Sequence, residues 1–169
     1  PVSVTNYLYD NFGLRGEGFA SPFNSRLMGK KGTSVCSLFS DVDMPLGTIG
    51  SFYTITMGDH AKVWTVDPPY IEKLLTQACI IVDEALRTTP NMTVFLLFPD
   101  WETLEDLDKI ESSEFLVHAF DLPKNEHKME TPIGSVINVA NANKYYVMSN
   151  DKELDTQTLI TELGKLLFQ

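Results

Sequence analysis

The sequence predicts an α/β fold with a doubly wound, mostly parallel sheet and helices on both faces. Three observations carry this prediction. Thr93-Val-Phe-Leu-Leu-Phe98 is an unbroken apolar run without polar alternation, as a strand covered on both faces requires. Ile71, Leu74, Leu75, Ala78, Ile81, Val82, Ala85 and Leu86 recur at three- and four-residue steps, the period of an amphipathic helix. Strand-like and helix-like segments alternate along the chain, which favours parallel strands joined by crossover helices.

Taken in order, Glu17 to Asn24 reads as a short strand ending at Pro22, with a turn into a helix through Arg26 and Leu27. Ser34 to Phe39 is a second strand, closed by the polar Ser40-Asp-Val-Asp43. A loop with Gly47, Gly50 and Gly58 leads to the strand Lys62 to Val66, which stops at Asp67-Pro-Pro-Tyr70. The long helix from Ile71 and the buried strand Thr93 to Phe98 follow. A helix over Leu104 to Ser113 points Leu104, Leu107 and Ile110 inward and Glu105, Asp106, Asp108 and Glu111 outward, and Phe115 to Asp121 is another strand. Val136 to Ala140 and Tyr145 to Met148 flank Asn141-Ala-Asn-Lys144, which predicts a C-terminal antiparallel hairpin at the sheet edge. Thr156 to Phe168 closes the chain as a helix burying Leu159, Ile160, Leu163, Leu166 and Leu167.

With 169 residues, the chain is sized for one domain over 1–169. Hydrophobic residues make up 43 % and charged residues 21 %, enough apolar surface for a core and too much for a disordered chain. The net charge of −10 has the wrong sign for a protein that grips nucleic acid by phosphate neutralisation alone. A nucleic-acid function would need a local basic patch, a partner subunit or base-specific contacts. Cys36 and Cys79 form neither a disulfide framework nor a metal signature, and no apolar run reaches membrane-span length. These features lead us to expect a soluble, intracellular protein in a reducing compartment. Pro1 in place of an initiating Met fits a processed or excised chain.

Asp67-Pro68-Pro69-Tyr70 carries the chemistry. It lies where a buried strand ends and a long helix begins, and ligands of open α/β sheets bind at the carboxyl ends of the strands. Two prolines remove two amide donors, which leaves the Asp67 and Pro68 carbonyls able to accept from a ligand. The Asp67 carboxylate and the Pro68 carbonyl suit the two hydrogens of an exocyclic amine, and Tyr70 suits the face of its base. Holding both hydrogens localises the amine lone pair toward an electrophile, so catalysis rests on positioning and electrostatics and needs no strong base. The same tetrapeptide also fits a plain strand-to-helix turn, with Asp67 as the cap and a proline in the first helical turn.

Asp67-Pro-Pro-Tyr70 resembles motif IV of the S-adenosylmethionine-dependent adenine-N6 and cytosine-N4 methyltransferases. Phe19-Ala-Ser-Pro-Phe-Asn24, Cys36-Ser-Leu-Phe39, Asp41-x-Asp43, Gly47, Gly50, Phe98-Pro-Asp-Trp101, Glu111-Ser-Ser-Glu-Phe115, Leu122-Pro123 and His127 follow in an order similar to the phosphorylated-CTD-interacting-factor family. That family methylates N6 of the adenosine next to the messenger RNA cap. The resemblance implies a class I methyltransferase-like fold, with S-adenosylmethionine as cofactor and RNA, in the family a capped mRNA, as substrate. It implies cofactor contacts from Phe19, Ala20, Ser21, Pro22 and Asn24, ribose contacts from Asp41 or Asp43, and a close backbone approach at Gly47 and Gly50, with Asp67 beside the methyl donor. Two departures stand out. The family typically has Asn-Pro-Pro-Phe where this chain has Asp67 and Tyr70, and its basic, aromatic run after His127 is replaced by Lys128-Met-Glu-Thr-Pro132. The family's additional helical domain has no room here, which points to a basic partner subunit or parent domain.

Arg26, Lys30 and Lys31, with Arg15, form the one basic concentration, which reads either as an ordinary solvated surface or as candidate phosphate contacts, and Trp101 either covers the sheet or is a candidate wall of the substrate cleft. The acids from Asp100 to Glu114 read as a solvated face. His60, His118 and His127 lack metal-ligand spacing, so no metal is expected; Trp64 reads as core; Asn91-Met-Thr93 matches a glycosylation acceptor that an intracellular protein does not use; and Ser21 lacks partners for hydrolysis. The expectation is therefore an RNA adenosine N6-methyltransferase in which Asp67, Pro68, Pro69 and Tyr70 carry the transfer. The alternatives are a DNA adenine N6-methyltransferase and a catalytically inactive methyltransferase-like scaffold that binds RNA or assembles a complex.

Overall fold

The computed structural model describes residues 2–101, 105–131 and 135–168. Eight strands are present among them: β1 (Gly16–Glu17), β2 (Ser34–Val35), β3 (Val63–Val66), β4 (Thr93–Pro99), β5 (Leu116–Leu122), β6 (Lys128–Glu130), β7 (Val136–Asn138) and β8 (Asn143–Ser149). The helices are α1 (Val2–Asn11), α2 (Ser40–Asp43), α3 (Met57–His60), α4 (Glu72–Thr88), α5 (Glu105–Glu111) and α6 (Thr156–Leu167). Six strands form the main sheet in the order β2-β1-β3-β4-β8-β5. β2, β1, β3 and β4 run parallel, and β8 is antiparallel to both β4 and β5. The mostly parallel sheet with helices on both faces is the class I methyltransferase-like fold expected from the sequence, with the antiparallel strand β8 inside the sheet.

Alternating residues of the central strands supply two cores. Trp64, Val66, Val94, Leu96, Phe98, Tyr146 and Met148 pack with Leu75, Ala78, Val82 and Leu86 of α4 and with Leu107 and Ile110 of α5. On the other face, Phe95, Tyr145, Val147 and Phe120 meet Val4 and Leu8 of α1 and Leu159, Leu163 and Leu167 of α6. Apolar side chains on both faces explain the absence of alternation in β4. Gly16 stands opposite Trp64 in the β1–β3 pairing, and a Cβ there would lie 2.1 Å from the indole ring, so this position admits only glycine. Trp64 is fully buried, as its place in a strand predicted, and donates from Nε1 to the Ala61 carbonyl.

Several expectations need correction. The C-terminal hairpin does not form. Val136–Asn138 pairs with Lys128–Glu130 in a separate two-stranded ribbon, while β8 inserts between β4 and β5. The physical reason is burial: Tyr145, Tyr146, Val147 and Met148 are all buried, which needs an interior strand, whereas every residue of β7 is exposed. β1 ends at Glu17 and no helix forms through Arg26 and Leu27, because the Glu17 carboxylate accepts from Ser25 Oγ (2.5 Å) and from the Arg26 and Leu27 amides, folding this segment into turns. β2 is only two residues long, and the polar Ser40–Asp43 that follows forms a helical turn. Helix α1 was not foreseen. Ile71, expected inward, is exposed, because it precedes the first turn of α4 as its N-cap. Leu107 and Ile110 are buried as expected; Leu104 and the side chains of Glu105 and Asp106 lie outside the described residues.

From β1 the chain crosses to β2 on one side, and from β3 to β4 on the other, so the winding reverses between β1 and β3. The carboxyl ends of two diverging parallel strands leave a crevice there.

Candidate active site

The crevice opens into a cleft of about 410 Å³. Glu17 and Phe19 enter it from the end of β1, Thr65 and Asp67 from β3, Tyr70 from the segment before α4, and Asn143 and Tyr145 from β8. The β6–β7 ribbon closes one side through His127, Lys128, Met129 and Val139. Cleft and motif therefore coincide at the switch point that the topology picks out.

The Asp67 carboxyl is pushed up to about 7, first by burial among the surrounding walls and then by the nearby Glu17 charge. The side chain is nevertheless exposed to the water of the cleft. The cleft walls rather than full enclosure therefore raise it, and an occupant that expels the water will strengthen the effect. Glu17 is itself raised by burial, opposed by its bonds to Ser25, Arg26 and Leu27. Asp67 does not cap α4: the N-cap is Ile71, without a side-chain bond, and the helix starts at Glu72. The plain turn reading therefore loses the cap it assigned to Asp67.

Tyr70 is held at two places. Its hydroxyl donates to Asn143 Oδ1 at 2.8 Å, and its ring meets the edge of Trp101 with centroids 6.0 Å apart and planes 80° apart. Asn143 Nδ2 lies 2.9 Å from His127 Nε2, and His127 Nδ1 lies 3.0 Å from the Pro123 carbonyl oxygen. Pro68 is buried and Pro69 half-buried.

The other expected residues divide into groups. Phe19, Asn24 and Arg26 line the cleft with Asp67 and Tyr70. Asn24 Oδ1 accepts from the Ser21 amide at 2.7 Å, closing the Ser21–Asn24 turn, and Ala20 is buried with its amide on the Cys36 carbonyl. Asp41, Asp43, Gly47 and Gly50 lie beyond β2 and are not in the lining of this cleft. Asp41 is exposed; Asp43 is buried and accepts from Ser37 Oγ. Gly47 and Gly50 take φ of +109° and +123°. Phe19 connects the two regions, its ring packing on Phe52 and Tyr53 at 4.9 and 5.3 Å. Lys30 is drawn to α1, bonded to Asn6 and lying over the Tyr9 ring, and Lys31 is exposed outside the cleft. Among the described residues no group of three or more His, Cys, Asp or Glu could hold a metal ion, and no helix is long and apolar enough to cross a membrane.

Sequence reasoning missed Glu17 and Asn143. Glu17 sat inside an expected strand, and Asn143 read as a turn residue. The available signal for Asn143 was Tyr70 itself, whose hydroxyl needs a partner when half-buried.

Residues 1–131 match the sequence profile described as phosphorylated CTD interacting factor 1 WW domain. The chain belongs to the phosphorylated CTD interacting factor family. Over 131 residues it is 29 % identical to a human and to a mouse mRNA (2'-O-methyladenosine-N(6)-)-methyltransferase, covering 76 % of this chain. The matched stretch spans only 18 % of the length of each relative. A solved Thermoplasma acidophilum protein, 1320, aligns with 88 % of this chain and 89 % of its own at 11 % identity and a TM-score of 0.48. Asp67, Tyr70, Trp101 and His127 lie within the phosphorylated CTD interacting factor match, whereas Asn143 and Tyr145 lie beyond its last residue, 131.

Proposed function

We propose that this chain is the catalytic core of an S-adenosylmethionine-dependent enzyme that methylates N6 of an adenosine in RNA. The observation that carries the reading is the Asp67-Pro-Pro-Tyr70 segment leaving β3 at the switch point, with Asp67 facing the cleft instead of capping α4. The names of the human and mouse relatives support adenosine N6 as the target. The cap-adjacent 2'-O-methyladenosine in those names is the first substrate to offer.

The residues present fit the cofactor. The cleft has the volume and the mixed lining of a small-molecule site, with Phe19, Asn24 and Asp67 at the strand ends. S-adenosylmethionine, when bound, supplies an electrophilic methyl group. Phe19 and the Ser21–Asn24 turn would hold its methionine end, and of the two acids beyond β2 the exposed Asp41, rather than Asp43 engaged by Ser37, is our candidate to meet its ribose. Toward the substrate, the Asp67 carboxylate and the Pro68 carbonyl accept the two amine hydrogens, and Tyr70 lies against the adenine. With its pKa raised to about 7, Asp67 is also suited to take the proton that the methylated amine must lose. Arg26 and Lys128 are the cationic side chains lining the cleft, few for a chain of net charge −10. A basic partner or parent domain supplies the remaining backbone affinity.

The test is transfer of a labelled methyl group to capped RNA, uncapped RNA and DNA side by side. We expect RNA adenosine to be labelled, and Asp67→Ala to lower kcat by about 10²–10³-fold, the range for losing one group that steadies a transition state. Undiminished activity in Asp67→Ala overturns the mechanism. Preferential labelling of DNA moves the substrate class, and saturable cofactor or RNA binding without transfer to any substrate assigns the chain to the scaffold class.

A further inference from the structure

The Tyr70 hydroxyl ends a line of hydrogen bonds whose direction is fixed from its far end. The Pro123 carbonyl only accepts, so the His127 nitrogen 3.0 Å away, Nδ1, carries a proton. In the neutral ring Nε2 then accepts, and the group 2.9 Å from it is the Asn143 amide NH₂. That sets the Asn143 amide with Oδ1 toward Tyr70, whose hydroxyl donates at 2.8 Å. Asn143 is 2 % exposed and His127 6 %, so neither has water to substitute for a lost partner.

The line ties together parts of the chain that no single element unites. Tyr70 precedes α4, Asn143 opens β8, and His127 leads into the β6–β7 ribbon that forms the wall of the cleft. In β8, Asn143 pairs in register with Pro99 of β4 and Leu122 of β5, so its backbone is anchored on both sides. Trp101 fixes the ring of Tyr70 from its edge, and the relay fixes the hydroxyl. Two fixed points leave the ring plane one orientation.

We propose that Asn143 and His127 are positioning residues that set the plane of Tyr70 against the substrate base through a directed Tyr70–Asn143–His127–Pro123 relay. The role rests on the base-stacking function proposed for Tyr70. The relay itself does not, because its proton pattern is a property of the protein alone. Free neutral imidazole prefers its proton on the other nitrogen, Nε2, so the relay has a spectroscopic signature.

Nitrogen-15 NMR of the wild-type protein, without cofactor or RNA, should show His127 as the Nδ1–H tautomer. An Nε2–H tautomer overturns the relay, whether or not the protein transfers methyl groups. Kinetics then test the role. Tyr70→Phe and Asn143→Ala should each lower kcat/KM for RNA about tenfold while leaving KM for S-adenosylmethionine unchanged. Asn143→Ala in the Tyr70→Phe background should cost less than a further twofold, because its route to the base is already cut. Independent, multiplicative losses overturn the proposal, as does Tyr70→Phe with wild-type kinetics, a result that stands even where Asn143→Ala fails to fold. A wild-type protein that shows the Nδ1–H tautomer yet transfers no methyl group would retain the relay and remove the enzymatic reading.

Discussion

Strand β8 has a buried or half-buried asparagine at each end, and the two spend their amides differently. Asn150, just past the strand, donates from Nδ2 to the Leu86 and Thr89 carbonyls and accepts at Oδ1 from the Met92 amide at 2.7 Å. All its partners are backbone atoms, and together they close the end of α4 onto the start of β4. Asn143, at the other end, spends its amide on two side chains, Tyr70 and His127. The same residue type thus ties backbone segments together at one end of the sheet and joins side chains of the cleft at the other. Backbone-directed amides satisfy groups that every variant retains, whereas side-chain-directed amides define positions that only particular partners need.

The sharpest way to break this contrast is to remove the distal amide. Asn150→Ala leaves two carbonyls at the end of α4 and the Met92 amide before β4 without their partner, at about 1–3 kcal/mol for each group that water does not recover. Because the site is half-buried, we expect a total near 3 kcal/mol, which lowers Tm by about 6–12 °C in a chain of this size. At 25 °C the folded protein should retain wild-type kcat/KM. A large loss of activity with unchanged Tm would erase the distinction between the two ends.

The same contrast explains what the sequence made legible. α4 and α6 were readable because their apolar residues recur at helical spacing, and β3 and β4 because each is a short apolar run ended by turn residues, β3 by the Asp67-Pro-Pro-Tyr70 motif. The position of β8 was not, because Tyr145 to Met148 reads identically as an edge hairpin strand and as an interior strand. The choice lies in long-range pairing with Thr93–Pro99 and Leu116–Leu122. Helix α1 escaped notice because only Val4 and Leu8 of its ten residues are buried, too few to mark a period. In the site, Asp67 and Tyr70 announced themselves by adjacency to two prolines. Asn143 lies 73 residues from Tyr70, and only the fold brings them together.

A second measurement separates the two ends by pH. The Asp67 carboxyl moves from near 4, its usual range, up to about 7 in the fold, and Glu17 beside it is also raised. A raised acid favours the fold in its protonated form. Its contribution is fully present below about pH 4 and is lost as pH rises through about 7. Asp67→Asn should therefore be more stable than wild type above pH 7 and indistinguishable from it below pH 4. We expect a difference under about 1 kcal/mol, because the carboxylate faces water. Melting curves from pH 4 to 8 give the comparison, and a stability gap independent of pH would refute the assigned charge environment. In activity, the log of kcat/KM for RNA should climb with pH to a bend near 7 in wild type, and that bend should disappear in Asp67→Asn.

The smallest effect belongs to the distal surface. Arg87, on the last turn of α4, donates from Nε and Nη2 to Asp83 at 2.8 and 3.1 Å and from Nη1 to Glu114 at 3.0 Å. Its guanidinium also lies 5.3 Å above the Phe115 ring, so Arg87 has several charged and aromatic contacts at that end. Yet its side chain is 54 % exposed, and ordering exposed charged side chains costs nearly what their screened attraction returns. Arg87→Ala should therefore leave Tm within about a degree of wild type, with any residual difference vanishing in 0.5 M salt. Its position, at the opposite end of the strands from Asp67, adds a functional expectation: methyl transfer to RNA should be unchanged. A selective rise in KM for RNA in Arg87→Ala would mean that the nucleic acid reaches round to the distal end, and the division of labour between the two ends of β8 would then have to be redrawn.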